Sequence, residues 1–235
     1  MDIIVTFIIV LLIGVLIYVL LYEAINSVPT KACDVCPVRN VHRMHDQKTT
    51  AAAKLDEIIR RNKILMAHLK KKYIEKGTDF NPDKSNKIDI IEVSPIYEEK
   101  FIKTPGYIQT RLEQLFKNYD ENNIYEISPL NKLQATSYTE NKKKLVFCLR
   151  QKIPDENGEY PFHDDNLLMY VVLHELAHMM NTEWDTTKDH GPDFWDLFRF
   201  LMINAHECNI YDPVNFNINN ATYCGMQIKY TPYYV

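Results

Sequence analysis

The sequence predicts an α+β body behind an N-terminal membrane-spanning helix. Three observations point to this class. Residues 3–22, "IIVTFIIVLLIGVLIYVLLY", are an unbroken apolar run. The middle of the chain mixes short β-branched stretches with helical patterns. Residues 164–181 then form one strongly apolar helix that carries the motif HExxH. The 235 residues are 46% hydrophobic, which suffices for a core without disulfide staples.

The apolar run opens the chain. Twenty residues at a rise of about 1.5 Å match a hydrocarbon core of about 30 Å. A cleavable signal fits less well, because the preceding Met1-Asp2 carries no basic side chain and the run is long. Residues 1–23 are therefore expected to be a retained anchor, with 3–22 in the bilayer. Lys31, Arg39 and Arg43 follow the run and no basic side chain precedes it. The positive-inside rule then puts the N-terminus outside and the body in the cytoplasm. Five scattered cysteines, an odd count, fit the same reducing side and suggest no disulfide framework.

Residues 24–47 read as a juxtamembrane neck. It holds Cys33-x2-Cys36 and His42-x2-His45, but only five residues separate the pairs, too few for an ordinary zinc finger. Lipid-modified or unmodified thiols are the expectation for Cys33 and Cys36. Residues 48–76 read as an amphipathic helix, with Leu55, Ile58, Ile59, Leu65, Met66, Leu69 and Tyr73 on one stripe that Asn62 interrupts. Such a stripe packs on the body and leaves the Lys and Arg side chains in water.

Residues 77–235 are the expected catalytic body. "KIDIIEV", 87–93, suggests a strand, and 104–120 a turn followed by a helix with Ile108, Leu112, Leu115 and Phe116 inward. "NIYEISPL" suggests a strand ended by Pro129. Residues 136–139 and 145–149 should pair as a hairpin around "ENKK". "KLVFCLR", 144–150, is the candidate edge strand for an extended peptide, with Cys148 as a core residue.

The charge is uneven. Residues 31–76 carry 12 Lys+Arg against 5 Asp+Glu, and 77–235 carry 15 against 24. An acidic body behind a basic neck gives no reason to expect a nucleic-acid partner.

The chemistry concentrates at "VVLHELAHMMNTEWDTTKDHGPDFW", 171–195. His174 and His178, four apart, share one helix face and can bring two nitrogens to one Zn²⁺. Glu175 falls beside the metal position, where a carboxylate can take the proton of an attacking water. Ionisable residues are costly on so apolar a helix unless paired or metal-bound.

A catalytic zinc needs a third protein ligand and an open position. His190 is the leading candidate, delivered by the Gly191-Pro192 turn that starts a second helix. Glu207, Asp185 and Asp189 are the alternatives, and His206 reads as a helix-end residue. The compact three-histidine pattern is excluded by Asn181 and Trp184 where it needs Gly and His. Tyr138 and Tyr223 are candidate oxyanion donors.

"HELAH", a variable loop and "HGPDFW" resemble the SprT/WLM group of zinc metallopeptidases. The anchor, "VRN", "TSYTENKKKLVFCLR", "LMYVVLHELAH", "FW" and "YCG" resemble a narrower membrane-anchored set encoded by large DNA viruses. The resemblance implies a minimal zincin-like fold: a small sheet, the HExxH helix and a second helix. It also implies one catalytic zinc on His174, His178 and His190, with Glu175 as general base. The DNA-linked substrates of the group do not carry over, because the body is acidic and tied to a membrane. The expected function is a membrane-anchored zinc metallopeptidase acting on a protein or peptide. The alternative is a catalytically inactive zinc-stabilised membrane scaffold.

Overall fold

The computed structural model describes residues 3–31, 38–42, 47–77, 106–128, 136–181 and 190–234. The expected strand at 87–93, and Cys33, Cys36, His45, Asp185 and Asp189, lie outside them.

The first helix, α1 (Ile3–Asn26), runs for 24 residues, about 36 Å of rise. Its side chains are described at 7–18 and 21. The large apolar ones among them are all exposed, from Ile9 at 44% to Phe7 at 68%. Among the described residues no helix is long and apolar enough to cross a membrane.

A five-stranded mixed sheet follows. It is built from β1 (Ser27–Lys31), β2 (Val38–His42), β3 (Ile124–Glu126), β4 (Tyr138–Glu140) and β5 (Lys144–Phe147), in the order β1-β2-β3-β5-β4. The stretch read as a neck thus supplies two strands, which pair antiparallel from Ser27↔His42 to Lys31↔Val38. β3 pairs in parallel with β5, and β4 folds back on β5 with Tyr138 opposite Val146. Asn141 and Lys142 make the β4–β5 turn at φ 51° and 56°. Left-handed conformation at successive residues is what a tight hairpin turn of the matching twist requires.

This order corrects the expected edge. Residues 144–147 of "KLVFCLR" lie between β3 and β4, so the exposed edge beside the HExxH helix is β4. The reason is burial on both faces: Leu145, Val146 and Phe147 are each at most 3% exposed. A continuous apolar run marks an interior strand.

Five α-helices are found among the described residues. α2 (Lys48–Leu69) buries Leu55, Ile58, Ile59, Leu65 and Leu69 against the body. Lys54 Nζ fixes it to the start of the HExxH helix, 2.5 Å from Asp165 Oδ1. The helix continues as a π-helical turn, Lys70–Glu75, where Tyr73 OH donates to Asn204 Oδ1 at 3.1 Å. Asn62 is buried rather than an interruption of the stripe, and its amide donates to Tyr119 OH at 3.3 Å. α3 (Tyr107–Asn118) turns Ile108, Leu112 and Leu115 inward as expected.

α4 (Asp165–Met180) is the HExxH helix. Asp164 caps it, accepting from the backbone N–H of Asn166 and Leu167 at 2.8 and 3.1 Å. Eleven of its 16 residues are buried, which is why it is apolar nearly all round. α5 (Pro192–Glu207) packs against it, with Pro at its first position where a missing N–H costs nothing. A short hairpin, β6 (Ala221–Tyr223) and β7 (Met226–Ile228), completes the fold.

A disulfide joins Cys148, just after β5, to Cys224 in the β6–β7 turn. This corrects the expectation of an unbridged body. The two cysteines are 76 residues apart in sequence, and sequence spacing alone carried no sign of their meeting. Among the described residues Cys208 remains a thiol.

Candidate metal centre

α4 presents His174 and His178 one turn apart, and His190 stands just before Gly191, the N-cap of α5. Their Nε2 atoms form a nearly equilateral triangle. His174 to His178 is 3.3 Å, and His190 is 3.2 Å from each. Three nitrogens bound tetrahedrally to Zn²⁺ at about 2.0–2.1 Å would lie roughly 3.3 Å apart. The triangle therefore has the dimensions of a zinc face.

Burial, with His178 and His190 beside it, pushes the His174 pKa well below its ordinary value. A neutral imidazole is the form that ligates metal. If all three Nε2 atoms carry their lone pairs, no N–H stands between them, whereas one cation can accept all three. Among the described residues, these three histidines bring their ligand atoms close enough together to hold one metal ion.

Phe194 of α5 is the floor of the site. Its ring centroid lies 4.8, 4.5 and 4.6 Å from the rings of His174, His178 and His190. Trp195 flanks His190 at 5.9 Å and meets Tyr230 at 4.9 Å. "HGPDFW" thus places His190, starts a helix and supplies the packing that holds the three imidazole rings.

Glu175 is 4% exposed. Thr139 Oγ1, on β4, lies 2.6 Å from Glu175 Oε2 and 3.2 Å from the Glu175 carbonyl oxygen. A hydroxyl has one proton to donate, and the charged, nearer acceptor takes it. In the β4–β5 turn, the Lys142 ammonium donates to the carbonyl oxygen of Asn181 at the C-terminal end of α4. Both contacts fasten the edge strand to the HExxH helix. A cavity of about 570 Å³ opens between them, lined by β4, the three histidines, Glu175, Trp195 and the β6–β7 hairpin.

The other expected residues divide cleanly. Tyr138 and Tyr223 both line the cavity. Tyr223 is buried, which raises its pKa, and its phenol is 2.5 Å from Ser137 Oγ. Glu207 sits at the far end of α5, 2.6 Å from Lys72 Nζ and 3.2 Å from His68 Nε2, so it is not part of the histidine group. His206 lies 3.3 Å from the Tyr211 carbonyl oxygen at a helix end, as expected. Sequence alone does not mark Thr139 or Phe194 as site residues. Phe194 lies within "HGPDFW", but nothing in the sequence links Thr139 to a residue 36 positions away.

No family model matches the chain, and no solved structure matches it. Three curated relatives do. An uncharacterized protein of Acanthamoeba polyphaga mimivirus is 36% identical over 130 residues, 55% of this chain and 58% of that protein. An uncharacterized protein of Invertebrate iridescent virus 6 is 32% identical over 88 residues, 37% of this chain and 44% of that protein. One of Invertebrate iridescent virus 3 is 33% identical over 90 residues, 38% of this chain and 50% of that protein. The chain thus spans about half the length of the curated relatives it matches, and all three are viral proteins.

Proposed function

We propose that the protein is a zinc-dependent metallopeptidase of zincin-like fold, held at a membrane by residues 3–22. The observation that carries this reading is the triangle of His174, His178 and His190 Nε2 atoms with buried Glu175 beside it. A structural zinc site has no use for a carboxylate base next to an open coordination position. That argument favours an enzyme over a zinc-stabilised scaffold.

A zinc ion held by His174, His178 and His190 would supply Lewis acidity, which lowers the pKa of water toward neutrality. The chain's own residues do the rest. Glu175 takes the proton of the attacking water and returns it to the leaving amine nitrogen. Thr139 holds that carboxylate in place through Oε2. The edge of β4 offers backbone groups to an extended peptide, which would lie across the cavity between β4 and the hairpin. Tyr223, fixed by Ser137, is the candidate donor to the developing oxyanion.

Membrane attachment rests on α1. It is helical for 24 residues, and its described large apolar side chains are exposed, uncovered by any core among the described residues.

A peptide library incubated with the full chain in detergent tests the enzymatic part. Cleavage by wild type, and none by Glu175→Gln at equal zinc content, is expected. Zinc bound by both with no cleavage by either would leave the scaffold as the correct reading.

A further inference from the structure

Two features of the body bear on which side of a membrane it occupies. The first is the disulfide between Cys148 and Cys224, which are 0% and 2% exposed. A bridge buried in this way is structural, and structural bridges belong to oxidising compartments; the cytosolic thiol pool keeps such pairs reduced. The second is Asn220-Ala221-Thr222, the one Asn-x-Ser/Thr sequence in the chain. Asn220 is exposed and lies just outside β6, and Thr222 is exposed on the outer face of the hairpin. A bulky group on Asn220 meets no packed surface.

The flanking charges argue the other way, since Lys31, Arg39 and Arg43 follow the apolar run. That bias acts through short loops, whereas long domains translocate largely regardless of charge. About 200 residues follow α1, and the bridge reports on the body itself. The bridged Cys148 and Cys224 do not fit the reducing side of the membrane.

We infer that the body lies on the non-cytosolic side of the membrane and that Asn220 is an N-glycosylation site. The inference rests on the reading of residues 3–22 as an anchor. In that compartment the Cys148 and Cys224 thiols lose two protons and two electrons to an oxidised dithiol carrier, which is reduced as the S–S bond forms. Asn220 Nδ2 attacks the anomeric carbon of a lipid-pyrophosphate-linked oligosaccharide. A C–N bond forms, the lipid pyrophosphate leaves, and the amide loses a proton. The glycan stands on the hairpin that walls the metal-site cavity, three residues from Tyr223.

The experiment expresses the full chain in eukaryotic cells and isolates sealed microsomes. The expected result has three parts. The body resists added protease until detergent opens the vesicles. The chain shows one endoglycosidase-sensitive mobility step that Asn220→Gln abolishes. Cys148 and Cys224 resist alkylation in denaturant until reduced. Digestion of the body in sealed vesicles would overturn the inference, even with the bridge intact. A protected body whose wild-type mobility is insensitive to endoglycosidase would overturn the modification site. Carbonate washing keeps the anchor reading separate. A chain that stays with washed membranes but is digested from outside contradicts the sidedness alone. A chain released by the wash without a glycan contradicts both readings.

Discussion

Thr139 Oγ1 sits 2.6 Å from Glu175 Oε2, so the edge strand of the sheet directly holds the carboxylate of the HExxH helix. A peptide pairing with β4 would therefore meet the strand that also aims the base. Thr139→Val removes the hydroxyl and keeps the shape. It should lower kcat roughly 10- to 100-fold, the worth of a hydrogen bond to a charged group, with KM little changed. Thr139→Ser should restore most of the rate. Steady-state kinetics on both variants check this.

Phe194 touches all three imidazoles and is fully buried. Phe194→Ala should cost about 3–5 kcal/mol of stability. It should also weaken zinc binding more than a substitution of equal cost elsewhere in the core, such as Leu112→Ala. Chelator competition on both variants, alongside denaturant unfolding, separates the two effects.

Cys148 and Cys224 close a 76-residue separation. By chain entropy such a bridge contributes about 4 kcal/mol. The Cys148→Ala/Cys224→Ala double variant should lose stability of that order. Its KM should also rise, because the bridge fastens a hairpin that lines the cavity. Unfolding curves and kinetics measure the two consequences independently.

His163 is buried, and its Nε2 accepts from the Cys224 backbone N–H at 3.2 Å, so the fold holds it neutral. Burial lowers its pKa from 6.5 to about 4. The unfolded chain then binds the proton first as pH falls. The stability of the neutral form is complete above about pH 6.5 and is lost progressively down to about pH 4, by about 3 kcal/mol at most. His163→Gln keeps an acceptor that does not titrate there. Its acid destabilisation, measured in chelator, should be shallower than that of wild type across this window.

Much of this was legible because it is local. HExxH spacing, the Asp164 cap and the Gly191-Pro192 turn each act within a few residues, and each gives the expected helix or helix start. The β4–β5 hairpin was legible for the same reason. Its position in the sheet was not, because β3 pairs with β5 across some 20 residues of chain and sequence alternation does not name a neighbour. The disulfide and the Thr139 contact join residues 76 and 36 apart, so only the folded topology brings them together. Asn62 looked like a flaw in an apolar stripe because a pattern of residue types does not show Tyr119 waiting across the interface.

The central claim is that His174, His178 and His190 form one catalytic zinc face. X-ray absorption at the zinc edge, on the purified full chain and on His190→Ala, tests it most directly. The account predicts one zinc per wild-type chain, with three imidazole nitrogens and a light-atom fourth ligand at about 2.0–2.1 Å, and greatly weakened binding in the variant. A wild-type chain without zinc, or zinc held by sulfur at about 2.3 Å with His190→Ala unaffected, would contradict it.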